Sequence, residues 1–210
     1  MKLAVVCANG RVGQLVVKEA VERGLDVTAV IREDENKTVT SQVIKKDLFD
    51  LTKEDLAGFD AVVDAFGAWQ EEDLYQHGTS LKHLCNLLSG TNVHLCIVGG
   101  AGSLYVNQEH TAQVKDGADF PEIFKPLANA MGKALDELRG RKDVKWTYIS
   151  PAGDFQADGD RTGAYIQAGE ELTLNAKGES IISYADYAIA MVDEIVSGNH
   201  IQQRISVVRK

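Results

Sequence analysis

The sequence KLAVVCANGRVGQLVVKEAVERGLDVTAVIR, residues 2–32, has the pattern of a strand, a turn with glycines, a helix and a second strand. Residues 2–7 form a short, nearly continuous apolar run, as expected of a strand buried on both faces of a parallel sheet. Apolar residues then recur at helical spacing until Gly24, and residues 25–31 are a second apolar run. The pattern predicts one right-handed βαβ unit.

The turn between the first strand and the helix is C-A-N-G-R-V-G, residues 7–13. A dinucleotide fingerprint has three glycines here, for the tight turn, for close approach of a pyrophosphate and for helix–strand packing. Gly10 and Gly13 hold the last two positions, and Cys7 holds the first. Because a helix N-terminus attracts anions, the turn favours a nucleotide site. The alternative is that Gly13 serves only packing and that Cys7 marks a site that has lost its ligand.

The remaining chain alternates strand and helix patterns. Strands are predicted at 42–46, 60–65, 93–98, 144–150 and 204–208, with weaker candidates at 164–167 and 172–175. Helices are predicted at 51–57 (with Thr52 as N-cap), 73–89, 126–139 and 184–197. This alternation predicts an α/β fold, a doubly wound parallel sheet in a single domain of residues 1–210.

Composition excludes several functional classes. The 210 residues carry a formal net charge of −9 and no long basic segment, so we expect no nucleic-acid partner and no membrane binding. No segment approaches the roughly twenty apolar residues of a membrane span, and the N-terminus does not resemble a signal peptide. The three cysteines and five histidines lack metal-ligand spacing, so we expect no metal, reduced thiols and a cytoplasmic location.

In a doubly wound sheet the ligand lies beyond the carboxyl ends of the strands, where the strand order reverses. The predicted strand ends are 8–13, Arg32, 47–48, 65–67, 99–103 and 151–155, and four of these six contain glycine. Glycine lets a ligand approach the backbone closely, although turns in any protein of this class also use it. The recurrence of glycine at several strand ends favours one binding site along the carboxyl edge of the sheet.

Arg32 stands at the end of the second strand, where the residue type separates two cofactors. An acidic residue there binds the ribose 2′-hydroxyl of NAD, whereas an Arg favours the 2′-phosphate of NADP. A guanidinium suits a phosphate by its charge and its fork geometry. Glu33 and Asp34 follow directly, so Arg32 could instead pair with them at the surface. The residue favours NADP(H) over NAD(H).

The succession of motifs resembles the atypical short-chain dehydrogenase/reductase family, and within it the NAD(P)H-binding group of NmrA-like proteins and NADH-flavin reductases. After residues 2–32, the stretches that carry the resemblance include VIKKDLFDLT (43–52), DAVVDAFGAW (60–69), CIVGGAGSLYV (96–106), WTYISPAGDF (146–155) and SYADYAIAMVDEI (183–195). The resemblance covers essentially the whole chain in order. It implies a Rossmann-type fold with bound NAD(P)H and, for many members, reduction of flavin- or quinone-like small molecules.

The resemblance also implies where each part of the cofactor would bind. It assigns the pyrophosphate to Asn9, Gly10, Arg11, Val12 and Gly13, and the 2′-phosphate to Arg32. It assigns the adenine to Asp47 and Leu48, and the adenine ribose side to Ala65, Phe66 and Gly67. It assigns the nicotinamide to Gly100, Ala101 and Ser103, and the carboxamide of the nicotinamide to Pro151, Ala152 and Gly153. Lys125 would approximate the lysine that contacts the nicotinamide ribose.

The chain departs from the larger branch of that family, which uses a Tyr-x-x-x-Lys pair. No tyrosine has a lysine four residues later, and Pro121 stands four residues before Lys125. We therefore expect neither a classical alcohol dehydrogenase nor a sugar epimerase, because protonation of an alkoxide needs such an acid. A flavin or quinone spreads the added charge over its rings, so the enzyme contributes mainly proximity. The candidate catalytic residues are Ser103, Tyr105 and Lys125, unless the Ser103 hydroxyl only caps the next turn.

Two functions remain open. The first is an NADPH-dependent reductase of a small-molecule substrate, with selectivity in the loops 103–124 and 155–177. The second is an NADP(H)-binding redox sensor that passes its occupancy to a protein partner without turnover. Cys7 and the absent tyrosine favour the second, whereas the intact strand-end site favours the first. Nothing in the sequence specifies an oligomeric state.

Overall fold

The predicted βαβ unit is present in the computed structural model, which describes residues 1–210. Strand β1 (Lys2–Val6) leads into helix α1 (Arg11–Glu22), and strand β2 (Asp26–Ile31) pairs with β1 in parallel. Alternate side chains of β1 enter two different apolar clusters, because the pleat directs them to opposite faces of the sheet. Both faces are covered, which explains the nearly continuous apolar run.

The other elements complete a mostly parallel sheet. They are β3 (Val43–Lys45), β4 (Ala61–Asp64), α2 (Gln76–Leu88), β5 (His94–Val98), α3 (Lys125–Arg139), β6 (Lys145–Ser150), β7 (Asp154–Gln156), β8 (Tyr165–Ala168), β9 (Ile181–Ser183), α4 (Tyr184–Ser197) and β10 (Gln203–Arg209). The eight-stranded sheet has the order β3-β2-β1-β4-β5-β6-β10-β8, and only β8 is antiparallel to its neighbour. The predicted α/β fold is confirmed.

Helices α1 and α4 pack on one face of the sheet, and α2 and α3 pack on the other. The chain builds outward from β1 to β3 on one side and from β4 onward on the other. The strand order therefore reverses between β1 and β4, and a crevice at that point is where such sheets bind ligands. None of the helices combines the length and apolar character that a membrane span requires.

Helix α4 has the predicted bounds because both of its ends are encoded locally. The Oγ of Ser183 accepts a hydrogen bond of 3.0 Å from the N–H of Asp186, which caps the first turn. Gly198 ends the helix with a φ of 59°, in the left-handed region that glycine adopts without strain.

Two element predictions are wrong. Residues 51–57 form turns after a 3₁₀ turn at Leu48–Asp50, although the N–H and Oγ of Thr52 both donate to Asp55 as in a helix cap. So short a segment cannot offset the cost of helix nucleation. Residues 172–175 form no strand. The N–H of Leu172 donates to the carbonyl of Tyr105 in an isolated bridge between Tyr105 and Glu171, and the pairing does not continue into 172–175. The separate pair of β7 and β9 was not predicted, because each strand has only three residues.

Candidate functional site

The N-terminus of α1 offers three backbone donors. Gly10 is the N-cap residue, and its carbonyl accepts from the N–H of Gln14. The N–H groups of Arg11, Val12 and Gly13 have no acceptor within the protein, and the first turn contains no acidic residue and no capping side chain. Unpaired donors and the partial positive charge of the helix form an anion site. The residues present therefore fit the pyrophosphate of a dinucleotide.

Gly13 is required by the packing of α1 against the end of β1. A Cβ at this position would lie 2.8 Å from the carbonyl oxygen of Cys7 and 2.9 Å from backbone atoms of Ala8. At Gly10 the corresponding contact, with the same Cys7 oxygen, would be 3.2 Å and less severe. Since backbone atoms cannot move aside like a flexible side chain, any residue larger than glycine at position 13 would push α1 away from the turn.

Cys7, at the first position of the glycine fingerprint, has a left-handed backbone conformation. Its φ is 58°, in the left-handed region, where a Cβ is unfavourable. Burial raises the pKa of its thiol to about 12, and the nearby Asp64 carboxyl acts in the same direction. The thiol is therefore neutral at physiological pH, so that it adds no negative charge beside the anion site.

The side chain of Asn9 is directed away from the anion site. Its Nδ2 donates to Glu33 (3.0 Å) and to the carbonyl of Glu35 (2.8 Å), while its Oδ1 accepts from the N–H of Lys37 (2.9 Å). These bonds fasten the loop after β2 to the glycine turn. What Asn9 can offer a phosphate is its backbone N–H, which has no acceptor within the protein.

Arg32 and Asp47 lie close together at the ends of β2 and β3. The Arg32 side chain is 74% exposed, and its nitrogens lie 3.5 Å from Glu33 and 3.9 Å from Asp47. Exposed ion pairs at such distances contribute little, so the guanidinium can turn toward a phosphate. Asp47 accepts from the N–H of Phe49 (3.0 Å), and Leu48 is buried beneath it.

The segment 65–67 follows β4 directly. The N–H of Phe66 donates to Oδ1 of Asp64 (3.1 Å), and the Phe66 ring meets the His77 ring edge-on at 5.5 Å between centroids. Gly67 leads to Trp69, whose side chain projects into solvent. The carboxyl end of β4 thus presents backbone groups and the exposed Trp69 ring next to the point where the strand order reverses.

The glycine run after β5 is shaped by Tyr148 on β6. Gly99 lies directly on the Tyr148 ring, which leaves no room for a Cβ, and the N–H of Gly100 donates to the Tyr148 hydroxyl (3.2 Å). Ala101 accepts from the N–H of Leu104. Farther along the edge, Gly153 after β6 donates its N–H to Ser180 (3.0 Å). Pro151 and Ala152 are buried between these points.

The three predicted catalytic residues do not form one cluster. Ser103 is buried, and its Oγ accepts a hydrogen bond from Arg204 of β10. The Tyr105 ring stacks on His110 with centroids 4.3 Å apart. Lys125 begins α3 and pairs with Glu122. The Ser103 hydroxyl is therefore bound to a partner in the core. It is not free to contact a ligand, and it does not cap the next turn.

Asp64, the last residue of β4, is not among the residues predicted from the sequence. Its side chain is 4% exposed, and its one hydrogen bond within the protein comes from Phe66. Burial without a cation raises the pKa of this carboxyl to about 6, against the smaller opposing effect of the Phe66 N–H. An acidic residue closing the apolar strand AVVD was the available signal, because buried carboxylates are rare unless paired.

Comparison with known proteins gives consistent matches along the chain. A family model described as NAD(P)H-binding matches residues 7–196. The uncharacterized protein YwnB of Bacillus subtilis is 40% identical over 211 residues, covering 99% of this chain and 98% of that protein. A crystal structure from Streptococcus pneumoniae, described as "a putative NADH-flavin reductase", is 53% identical with a TM-score of 0.97 over 100% of both chains. A Lactobacillus casei protein is 30% identical with a TM-score of 0.88, over 100% of this chain and 99% of that one.

Proposed function

Because the chain belongs to the NAD(P)H-binding family, we propose that it is an NAD(P)H-dependent reductase that passes a hydride to a flavin- or quinone-like small molecule. The observation that carries the proposal is the set of unpaired N–H groups of Arg11, Val12 and Gly13 at the start of α1. A diphosphate satisfies such donors and the helix charge together. The description of the Streptococcus pneumoniae relative supports the acceptor class.

NAD(P)H would supply a hydride from its nicotinamide ring, while the protein positions it. The helix N-terminus would hold the pyrophosphate, and the resemblance assigns the nicotinamide to the segments that follow β5 and β6. Backbone from Gly100, Ala101 and Gly153 lines those strand ends. Holding donor and acceptor rings in contact contributes much of the rate enhancement in reactions of this kind.

Arg32 supports NADP(H) as the preferred cofactor. Its exposed guanidinium is held only by two long ion-pair contacts, so a 2′-phosphate can replace them with charge-assisted hydrogen bonds. Asp47 beside it would repel a phosphate, which limits the gain. We therefore expect a preference for NADPH, not an exclusion of NADH.

Two features of the site support a flavin- or quinone-like acceptor. No tyrosine precedes Lys125 at the spacing that alkoxide protonation uses. Trp69 is 70% exposed after β4, so its ring does not close the core and is free to stack on a planar acceptor. A flat conjugated acceptor fits both observations.

Binding is tested by titrating the protein with NADPH and with NADH. We expect micromolar NADPH binding that weakens about tenfold or more in Arg32→Ala, the loss of one charge-assisted contact. The control Lys142→Ala removes an exposed positive charge just before β6, at the amino end of the parallel strands, and should leave both affinities unchanged. Failure of both nucleotides to bind would refute the proposed function.

Turnover is tested next, with NADPH and either FMN or a benzoquinone. Steady oxidation of NADPH would support the reductase. Tight NADPH binding without turnover of any acceptor would favour the redox sensor instead. The observation in favour of the sensor is that the Ser103 hydroxyl is bound by Arg204.

A further inference from the structure

A small cavity of about 20 Å³ lies under the carboxyl ends of β4 and β5 and is lined on its other sides by α2 and α3. This volume suits one water molecule. The cavity has a mixed lining, in which the polar side chains are Asp64, His77, Ser80 and Tyr148. The remaining lining is apolar, so polar groups that face the cavity have few partners to choose from.

Three of these polar groups have unused hydrogen-bonding capacity. Ser80 is 1% exposed, and its Oγ has no partner in the protein. The Tyr148 hydroxyl accepts from Gly100 but donates to no protein group, and Asp64 receives a single hydrogen bond. Because buried polar groups are nearly always satisfied, their convergence on one water-sized cavity indicates a site for a water bound between them.

No cation faces Asp64 from the elements packed around it. The titratable neighbours are Cys7 after β1, His77 and Cys85 on α2, and Tyr148 on β6. Strand β5 and helix α3 contribute Ile97, Met131 and Ala134 to the same cavity.

Each of these titratable neighbours is uncharged near pH 7. Burial lowers the pKa of His77, and burial raises the pKa of Cys7, Cys85 and Tyr148 to about 12. The surroundings thus favour the protonated carboxyl of Asp64.

The cavity also lies beside two of the segments assigned to the cofactor. The Tyr148 hydroxyl accepts from the N–H of Gly100, in the segment assigned to the nicotinamide, and Asp64 immediately precedes the segment 65–67, assigned to the adenine ribose side. Reduction of a flavin or quinone consumes one hydride and one proton. Of the sequence candidates, Ser103 is bound by Arg204 within the core, and Tyr105 and Lys125 do not cluster with it.

We propose that Asp64 holds the proton that the acceptor consumes and delivers it through a water bound by Ser80 and Tyr148 in this cavity. The inference rests on the proposed function. In the balanced reaction, NAD(P)H loses a hydride and becomes NAD(P)⁺, and the acceptor gains that hydride. The O–H bond of the Asp64 carboxyl breaks as the water accepts its proton and passes one of its own to the acceptor. The carboxylate is then reprotonated from solvent, so Asp64 acts through the water and not by touching the substrate.

Binding of the cofactor and protonation of Asp64 should therefore be coupled. A diphosphate at the start of α1 adds negative charge beside Cys7, which neighbours Asp64. Negative charge nearby favours the neutral form of a carboxyl. Binding of NADPH near pH 7 should therefore draw a proton from solvent onto Asp64.

The first test measures proton uptake, not activity. NADPH binding is followed by calorimetry at pH 7 in two buffers of different ionisation enthalpy, for the wild type, Asp64→Asn and Asp60→Asn. Asp60 is an exposed carboxyl next to the amino end of β4 and serves as the matched control. We expect uptake of about half a proton or more in the wild type and in Asp60→Asn, and none in Asp64→Asn. Equal uptake in all three proteins would overturn the proposal.

The second test measures kcat against pH with the same acceptor. The amide of Asp64→Asn keeps an oxygen for the Phe66 N–H, and thermal melting checks that the variant is folded. We expect its kcat to fall roughly 10–100-fold with NADPH affinity retained, and the decline of kcat at high pH to disappear. Ser80→Ala should show a smaller loss. If Asp64→Asn kept the kcat and the pH profile of the wild type, the proton delivery by Asp64 would be overturned and the reductase function would stand. If the wild-type protein itself showed no turnover, the reductase function would be refuted.

Discussion

The Oγ of Ser103 accepts a hydrogen bond of 3.0 Å from Nη1 of Arg204, although 101 residues separate the two in sequence. Arg204 is buried in β10, and its other nitrogens donate to the carboxylate and the carbonyl of Glu170. Arg139 donates to the same carboxylate. The network fastens the loop after β5 to the last strand and explains why a serine at this place has no exposed hydroxyl.

Replacement of Ser103 by alanine should therefore act on stability more than on catalysis. The change leaves one N–H of a buried guanidinium without an acceptor, so the free energy of unfolding should fall by about 1–3 kcal/mol. Urea denaturation and NADPH turnover of Ser103→Ala are compared with those of Ser41→Ala, an exposed control. A large loss of kcat at unchanged stability would instead identify Ser103 as a proton donor.

Glu170→Gln should remove an acid-sensitive part of the stability. Burial opposes ionisation of this carboxyl, yet the hydrogen bond from Arg139 and the charge of Arg204 outweigh it and hold its pKa below the ordinary value. A lowered pKa gives stability that is present above the unfolded value and lost as the pH falls through the folded one. Urea denaturation at pH 7 should show a loss of about 2–3 kcal/mol in the variant, and the difference from wild type should shrink at pH 3.5. If the loss of stability in Glu170→Gln were the same at both pH values, the charge of Glu170 would not be its source.

Gly13→Ala should disrupt both the fold and the anion site. The added Cβ would meet the Cys7 carbonyl and the Ala8 backbone, so we expect destabilisation of about 1–3 kcal/mol and loss of NADPH binding. Gly78→Ala is the matched control, since a Cβ there meets nothing within 4 Å inside α2. The control should be stabilised by about 0.5–1 kcal/mol. Unchanged NADPH affinity in Gly13→Ala would argue against a cofactor at this turn.

Cys7→Gly should relieve the left-handed backbone at the turn. Removal of the Cβ lowers the strain of a φ of 58°, while the more flexible unfolded chain offsets part of the gain. The free energy of unfolding should change by no more than about 1 kcal/mol. If the Cβ crowds the turn, NADPH affinity will rise markedly in calorimetry. Equal affinity in Cys7→Gly and wild type would show that the cysteine is accommodated.

Asp64→Asn should stabilise the protein at high pH. The carboxyl has its pKa raised from 3.8 to about 6 in the folded state, so its ionisation costs stability as the pH rises between these values. A difference of about two pKa units corresponds to about 3 kcal/mol. Thermal or urea unfolding should therefore show a gain in Asp64→Asn at pH 8 that is absent at pH 4. A gain of equal size at both values would mean that charge burial is not its source.

Much of this architecture follows from local patterns in the chain. The apolar run of β1, the helical periodicity of α1, the Ser183 cap and Gly198 stop of α4, and Gly13 in the turn are all readable from neighbouring residues. These features act over one strand, one helix turn or one tight turn, which is why the order of elements could be predicted. The helix expected at 51–57 shows the limit, because its capping bonds form without the helix.

Tertiary packing decided which polar groups are free to act. Whether Ser103 is a proton donor depends on Arg204, and whether Asp64 is charged depends on which side chains α2 and β6 bring to it. These partners come from distant parts of the chain, so no local spacing encodes them. The sequence by itself determined the sheet, the glycine turn and the family, because periodicity and turn chemistry are local. Only the three-dimensional structure placed the Ser103 hydroxyl in the core and left the buried Asp64 carboxyl without a charged partner, because burial and pairing arise when distant segments pack together.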